Sequence, residues 1–317
     1  MADRALVWRP FFDCHAEELT AAMWMPLFSC PDCAVRLEAA TCPRCGHAFD
    51  ERDGIWRCLT PGCSAGLEPF LLQYRAVRAH DGHRPATPEY YRNLPSVAGD
   101  DPCATEWQIR RETYGNLLRH VLAGAPQSMR VLDLGAGSAW LSHRLADLGH
   151  RVVAVDVLDD EADGLGAARE YAATFALVQA DFARLPFAPG QFDLVVFNAS
   201  LHYARDAREA LTHANTMLAA GGLLVVMDSP MFRADIDGRR MTATFRDHVR
   251  SSYGIDPVAQ PGAGYVTFDA LDRTAASLDR DARFVPSRGP FRWRTRRQLA
   301  WLRLRRAPAA FGLWVAR

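Results

Sequence analysis

Short apolar runs separated by amphipathic stretches make up the pattern of residues 106–317. The runs are rich in Val, Leu and Phe and end in polar or turn-forming residues; they lie at 131–134, 151–155, 176–178, 192–197 and 223–227. Runs of this kind are typical of strands that are buried on both faces of a parallel sheet. The stretches between them have the length and spacing of helices. The pattern therefore predicts an open α/β sheet in which strands alternate with helices.

The turn after the first apolar run is rich in glycine. It runs from Asp133 to Ser138 and opens a predicted helix that reaches Leu148, and the next predicted strand ends at Asp156. Glycines let the backbone approach a ligand closely, and the free N–H groups at a helix start favour anionic groups. An acid at this distance beyond the glycines is placed to accept hydrogen bonds from ribose hydroxyls. The sequence predicts a site for a nucleoside-like cofactor at the first crossover.

The later strands indicate which cofactor this is. A third predicted strand ends at Asp181, a fourth spans Phe192–Asn198, and a fifth follows a Gly-Gly turn and ends at Asp228. Over about residues 107–230 this series resembles the class I S-adenosylmethionine-dependent methyltransferases, especially the small-molecule, ubiquinone-biosynthesis-like branch. The resemblance implies a Rossmann-like sheet of seven strands, whose reversed last strand corresponds to residues 310–315. It also implies S-adenosyl-L-methionine as the cofactor.

The resemblance assigns the first two motifs to the methionine and ribose parts of that cofactor. Asp133, Gly135 and Gly137 correspond to the loop that holds the methionine part, and Asp156 corresponds to the acid that binds the ribose. Ala139 stands where a dinucleotide fold has a third glycine. Its methyl group packs the following helix without obstructing the loop.

The remaining implied site residues lie farther along the chain. Asp181 corresponds to the acid that contacts the adenine amino group, Phe182 lies beside the ring, and Asn198 lies at the floor of the site. His202 follows the fourth strand and has a side-chain pKa suited to a general base, although a rim residue without a catalytic role is the alternative.

The predicted helix before the first strand offers one more cofactor contact. Arg111 or Tyr114 is expected to hydrogen-bond the cofactor carboxylate, since Arg presents a planar fork of donors. A solvated arginine and a core tyrosine are an equally weighted alternative.

Charge and composition restrict the function classes. The 317 residues include 37 basic and 37 acidic side chains, so the net charge is zero and gives no broad attraction to nucleic acid or membrane. No apolar run reaches the ~18 residues that suggest a membrane span, and the N-terminus lacks a signal-peptide core. We expect a cytoplasmic protein without a membrane partner. All basic residues are arginine, which excludes covalent chemistry on lysine.

Four cysteines form two Cys-x₂-Cys pairs, Cys30 with Cys33 and Cys42 with Cys45. Two such pairs place four thiolates at the corners of a tetrahedron, which is the geometry of a closed structural zinc site. Four cysteines in one segment without a secretion signal argue against disulfides. The sequence therefore predicts structural Zn²⁺ rather than a catalytic metal, because four thiolates leave no open position.

The stretch 28–59 resembles the small zinc-ribbon modules that accompany some methyltransferases. Asp53-Gly54 between extended residues predicts a hairpin turn. A module this small depends on its metal for folding. We expect Cys30→Ser or Cys42→Ser to unfold the ribbon and to spare the rest of the chain.

Two further cysteines, Cys58 and Cys63, have a spacing that allows a second metal with Cys14 and His15. Nothing in the sequence selects that combination. Ordinary half-buried thiols are the favoured interpretation.

The expected organisation has three regions: an N-terminal segment with the ribbon (1–63), a linking and cap region (64–105) and a methyltransferase domain (106–317). The linking region keeps many apolar and aromatic residues, which predicts a cap over the mouth of the site rather than a tether. A helical insertion is expected at about 235–253, where elements that shape the substrate site are usual in this fold.

The segment 283–317 contains ten arginines and no acid. We interpret it as an arginine-rich surface helix away from the cofactor mouth, and a nucleic-acid surface is the alternative. On this interpretation, reversing the charge of Arg296 and Arg297 leaves turnover nearly unchanged.

The favoured function is methyl transfer to a small organic acceptor. The first alternative is an RNA methyltransferase, because some bacterial ribosomal-RNA guanine methyltransferases also carry an N-terminal zinc site. The second is a non-catalytic binding module, against which the intact cofactor motifs argue.

Overall fold

The computed structural model describes residues 24–81, 87–171, 174–257 and 261–317, apart from the side chains at 296, 300 and 302–304. The strands in chain order are β1 (Asp50–Arg52), β2 (Ile55–Arg57), β3 (Arg130–Leu134), β4 (Arg151–Asp156), β5 (Ala176–Gln179), β6 (Phe192–Asn198), β7 (Leu218–Met227), β8 (Met231–Phe232), β9 (Val266–Thr267), β10 (Ala282–Ser287) and β11 (Phe311–Ala316). The α-helices are α1 (Pro61–His80), α2 (Pro88–Asn93), α3 (Ala104–Leu117), α4 (Trp140–Asp147), α5 (Ala207–Met217), α6 (Asp235–Tyr253), α7 (Phe268–Ser277) and α8 (Phe291–Leu304). Within the described residues, no helix has the length and apolar character needed to cross a bilayer.

Seven strands form the predicted sheet in the order β5-β4-β3-β6-β7-β11-β10. The first five are parallel, whereas β11 is antiparallel to both of its neighbours, so the predicted reversed last strand is confirmed. Helices on both faces bury the apolar runs: Val131, Leu132 and Leu134 of β3 are all fully buried.

Local signals define the helices around this sheet. The side chain of Asp206 caps α5 by accepting from the N–H groups of Arg208 and Glu209, and Thr267 caps α7 by accepting from Ala270. Helix α6 occupies the segment at which the sequence predicts a helical insertion.

The N-terminal hairpin adds two strands to the edge of the sheet. Its turn is Asp53-Gly54, with both residues at positive φ (57° and 77°), as expected for a two-residue hairpin loop. Strand β2 pairs in parallel with β5, with Ile55 opposite Leu177 and Arg57 opposite Gln179. The continuous sheet therefore has nine strands.

Buried side chains of the N-terminal segment pack in the same core as side chains of the main sheet. Phe28 contacts Phe187 with ring centroids 5.5 Å apart, and both belong to one buried cluster with Cys30 and Cys42. A ribbon that shares a core and a sheet with its neighbour should affect that neighbour when it unfolds. We therefore expect loss of Cys30 or Cys42 to destabilise more of the molecule than the ribbon.

Candidate active site

The carboxyl ends of β3, β4 and β6 open onto a cavity of about 510 Å³, a volume in the range of small-molecule sites. This is the edge at which open α/β sheets bind their ligands. Helices α1, α2 and α3 contribute the opposite wall. The cavity is lined at the sheet edge by Gly135, Ala136, Gly137, Ser138, Asp156, Val157, Phe182, Asn198, Ala199 and Ser200.

The loop after β3 depends on glycine at its first position. Gly135 has a φ of +72°, and a Cβ there would lie 2.2 Å from Cβ of Ser200. Ser200 holds its place by donating a hydrogen bond of 2.5 Å to the carbonyl of Leu134. Any larger residue at 135 would force the loop away from β6, so this glycine shapes the floor of the cavity.

Asp156 lies at the end of β4 and lines the cavity. One carboxylate oxygen accepts from the N–H of Gly137 (2.7 Å), and the other accepts from the N–H of Leu158 (2.8 Å). Burial raises the pKa of this carboxyl to about 6, and the backbone donors oppose that rise. A carboxylate oxygen can accept more than one hydrogen bond, so the geometry leaves capacity for ribose hydroxyls.

Three other predicted cofactor residues differ in their access to the cavity. Asn198 lines it, and the side-chain oxygen of Asn198 is buried without a hydrogen-bond partner among the described residues. Phe182 also lines it and meets Phe197 edge-on at 5.6 Å. Asp133 does not: it is fully buried below the loop, where it accepts from Ser142 of α4 at 2.8 Å.

Asp181 also lies outside the lining of the cavity. Its two carboxylate oxygens accept from the N–H of Ala183 (2.8 Å) and from the thiol of Cys63 (3.7 Å). The thiol of Cys63 therefore has a hydrogen-bond partner other than a metal, and Cys58 is buried in the core. Cys14 and His15 lie outside the described residues, so the alternative of a second metal site is not tested, and half-buried thiols stay the favoured prediction.

Helix α3 presents Arg110, not Arg111, to the cavity. Arg111 is exposed, whereas Arg110 lines the wall, forms an ion pair with Glu106 and stacks over the ring of Trp107 at 4.8 Å. The sequence contained a signal for this choice. Arg110 precedes the buried Thr113 by three residues and therefore shares its face of the helix.

His202 lines the cavity beyond β6, as the sequence predicts. Its Nδ1 lies 3.3 Å from Oγ of Ser229, and its ring lies 4.1 Å from that of Tyr203. Burial, together with a smaller effect of the charge of Arg110, lowers the pKa of His202 to about 3. The imidazole is therefore neutral near pH 7 and is a weak base.

Asp228 lies immediately after β7 and is the acid of the cavity wall that is best suited to act as a general base. It is 5% exposed and accepts a 2.6 Å hydrogen bond from Thr113, while its second oxygen has no partner among the described residues. Burial raises the pKa of Asp228 to about 7, against the effect of Thr113 and Arg110. A carboxyl that titrates near neutrality in a cavity wall is suited to proton transfer.

Aromatic rings from the cap complete the wall. Phe70 and Tyr74 of α1 each lie 5.8 Å from the ring of Tyr203, and all three line the cavity. The sequence marks the cap as aromatic but does not select these rings, because the docking of α1 on the sheet edge brings them together.

The four ribbon cysteines lie together, away from this cavity. The sulfur atoms of Cys30, Cys33, Cys42 and Cys45 are all within 4.8 Å of one another. Cys30 and Cys42 are buried and Cys45 is exposed. The spacing fits one tetrahedral metal ion.

The expectation from the sequence that the arginine-rich helix α8 lies away from the site is wrong. Arg297 and Arg306 line a second cavity, which shares Arg110 and Asp228 with the first. The packing of Trp293 against Phe311, with ring centroids 6.1 Å apart, places the helix there. The side chain of Arg296 lies outside the described residues.

The strand order and the loop after β3 are typical of one class of protein, and comparison with known proteins indicates the same class. Residues 132–226 match the family described as "Methyltransferase domain". The chain carries a class I methyltransferase domain, as its strand order and its loop after β3 predict.

Three similar proteins cover this region. The malonyl-[acyl-carrier protein] O-methyltransferase of Enterobacter lignolyticus is 37% identical over 95 residues, which are 30% of this chain and 37% of that protein. The tRNA 5-carboxymethoxyuridine methyltransferase of Escherichia coli is 29% identical, over 39% of this chain and 49% of that protein. The demethylmenaquinone methyltransferase of Beutenbergia cavernae is 37% identical, over 33% and 42% respectively. The chain thus matches less than half the length of each.

Proposed function

We propose that the protein transfers a methyl group from S-adenosyl-L-methionine to a small organic acceptor. One observation carries this proposal: a single cavity runs from the Gly135 loop and Asp156 to His202 and Asp228, under the cap helices. One end has the features of a cofactor site and the other has titratable and aromatic side chains for an acceptor.

The cofactor end fits the proposed ligand through residues of this chain. Asp156 would accept from the ribose hydroxyls, Phe182 would contact the adenine ring, and the unpartnered side-chain oxygen of Asn198 offers an acceptor at the floor. Asp133 positions the loop by anchoring α4, and Asp181 supports the turn that carries Phe182. The bound sulfonium supplies an electrophilic methyl group, so the protein chiefly has to align the acceptor and exclude water.

The acceptor end favours a small molecule with an aromatic or apolar part. Phe70, Tyr74 and Tyr203 form an aromatic wall around a cavity of limited volume. The zero net charge of the chain agrees with this acceptor class. The names of similar proteins cover an acyl-carrier-bound acid, a quinone precursor and a tRNA, and the enclosed wall supports the first two kinds of acceptor over RNA.

We propose Asp228 as the group that accepts a proton from the acceptor, with His202 as a neutral hydrogen-bonding contact. The pKa of about 7 at Asp228 matches proton transfer near neutral pH better than the pKa of about 3 at His202. Acceptors without an acidic proton would not need this step.

We propose that Cys30, Cys33, Cys42 and Cys45 hold one structural Zn²⁺. The four sulfur atoms would supply a closed coordination sphere, and none of the four cysteines lines the methyl-transfer cavity. The metal would stabilise the turns that bring Phe28 and the β1–β2 hairpin to the sheet edge.

Calorimetric titration with S-adenosylhomocysteine tests the cofactor end. Asp156→Ala removes the ribose acceptor and should weaken binding by about 2–4 kcal/mol, because hydrogen bonds to a carboxylate are strong. Asp147→Ala is the matched control, since Asp147 lies at the exposed end of α4 and does not line the cavity.

Unchanged affinity in Asp156→Ala would remove Asp156 from the site.

A turnover assay separates the acceptor classes. It measures the S-adenosylhomocysteine that forms from S-adenosyl-L-methionine in the presence of phenols, carboxylic acids, amines or unmodified tRNA. Turnover with tRNA alone would overturn the small-molecule proposal.

A further inference from the structure

A second cavity of about 660 Å³ adjoins the active-site cavity on its outer side. The two cavities share Arg110, Asp228 and Phe311 in their walls, so a molecule can extend from one into the other. The outer wall comes from α8 and the segment after it, including Arg297 and Arg306.

These two arginines have no acidic partner among the described side chains at ion-pair distance. Arg297 stacks over the ring of Trp293 at 4.0 Å and over Phe311 at 5.6 Å. Burial, together with a smaller effect of the nearby charge of Arg306, lowers the pKa of Arg297 to about 10. Burial also lowers the pKa of Arg306, with Asp237 opposing. Two partly desolvated like charges destabilise each other until an anion lies between them.

The acids of this cavity are engaged elsewhere. Glu106 forms an ion pair with Arg110, and Asp81 accepts from the hydroxyl of Tyr253 at 2.6 Å. Asp228 accepts from Thr113 and has a pKa near neutrality, so it carries only part of a negative charge at pH 7. None of them compensates the positive charge of the outer wall.

We propose that Arg297 and Arg306 form an anion subsite that holds a carboxylate or phosphate group of the methyl acceptor. This inference rests on the proposed methyltransferase function and deepens it by naming the acceptor class: a small molecule with an acidic group remote from the methylated atom. Arginine suits this role because its planar fork of N–H donors matches the geometry of both groups.

The stacking of Arg297 is what prepares the subsite. The guanidinium of Arg297 lies over the ring of Trp293, 4.0 Å from its centroid, and a guanidinium that stacks on a ring keeps the N–H donors in its own plane available for an anion. A side chain held in this way loses little further freedom on binding. The shared wall at Arg110 and Asp228 then places the rest of the acceptor towards the methyl-transfer end.

Calorimetry with small aromatic probes tests the subsite. Benzoate, phenyl phosphate and neutral benzamide are titrated into the full chain that is already saturated with S-adenosylhomocysteine, at low and constant ionic strength. Benzoate and phenyl phosphate report carboxylate and phosphate recognition separately, and benzamide reports the contribution of the ring. We expect at least one anion to bind at least tenfold more tightly than benzamide.

Arg297→Gln and Arg306→Gln should each weaken binding of that anion roughly tenfold and leave benzamide unchanged, as expected for loss of a charged hydrogen bond. Arg292→Gln is the matched control, because Arg292 is exposed on the same helix and does not line either cavity. Its anion affinity should equal that of the unmodified protein.

Two results would overturn the inference: equal affinity for anions and benzamide, or anion binding that is the same in both variants and in the control. Titration with S-adenosylhomocysteine alone distinguishes failure of the proposed methyltransferase function from failure of the anion subsite. If S-adenosylhomocysteine does not bind, the proposed function fails by itself, whereas its binding without anion discrimination contradicts only the subsite.

Discussion

Replacing Asp228 with Asn should make the stability of the protein less dependent on pH. The substitution removes a titratable group but keeps an oxygen that can accept from Thr113, whose hydroxyl lies 2.6 Å away. Asp228 has a φ of 49°, a conformation that asparagine adopts readily, so the backbone should not oppose the change. The difference between the two proteins then reports the ionisation of this buried carboxyl.

The sign and size of this pH dependence follow from the pKa of Asp228. Burial raises the pKa of Asp228 from 3.8 to about 7, so the folded state holds its proton to higher pH than the unfolded state does. The cost of ionisation is absent below pH 3.8, increases as the pH rises, and levels off above pH 7. About three pKa units correspond to ~4 kcal/mol at high pH, of which ~2.5 kcal/mol develops between pH 5 and pH 8.

Urea unfolding, followed by circular dichroism at several pH values between 5 and 8, measures this effect. The free energy of unfolding of Asp228→Asn, relative to the unmodified protein, should increase by ~2.5 kcal/mol over that range. Asp193→Asn gives the opposite contrast: Asp193 is paired with Arg130, which lowers the pKa of Asp193, so its loss should destabilise the protein throughout that range. Parallel pH profiles for Asp228→Asn and the unmodified protein would refute the reasoning.

Two further predictions concern the loop and the metal. Gly135→Ala should destabilise the protein by about 2–4 kcal/mol and weaken binding of S-adenosylhomocysteine, because the new Cβ would overlap Ser200. Gly190→Ala is the control: Gly190 has a similar positive φ but nothing within 4 Å, so its cost should stay near ~1 kcal/mol, and equal losses in both variants would contradict the steric argument. Purified protein should contain about one Zn²⁺ per chain, and its removal by a chelator should lower the melting temperature of the whole molecule, since β2 is hydrogen-bonded to β5. Zinc-free protein purified without chelators would overturn the metal proposal, and an unchanged main transition after chelation would show that the ribbon unfolds by itself.

Local signals in the sequence predicted the strands of the main sheet, and the glycine loop and Asp156 that line the proposed cofactor end of the cavity. Apolar runs predicted the parallel strands, the Asp53-Gly54 pair predicted the hairpin turn, and the glycine loop with Asp156 predicted the ligand edge of the sheet. Each signal depends on residues within one element or one turn, where periodicity and backbone conformation act directly. The expectation for Arg111 was wrong because consecutive helix residues point about 100° apart, so Arg110 faces the cavity while Arg111 faces solvent.

Contacts between distant segments decided the rest. The pairing of β2 with β5 joins residues 55–57 to 177–179, and no local pattern specifies which exposed strand edge a hairpin will meet. The packing of Trp293 on Phe311 brings Arg297 to the cavity that adjoins the active site, although composition alone suggested a remote surface helix. The pKa of Asp228 likewise depends on burial by several elements at once. The sequence by itself thus determined which segments form strands, helices and the cofactor loop, because those choices follow from short-range conformational preferences. Only the tertiary structure decided which side chains share the cavity and how they titrate, because burial and charge proximity depend on packing between residues that are far apart in the chain.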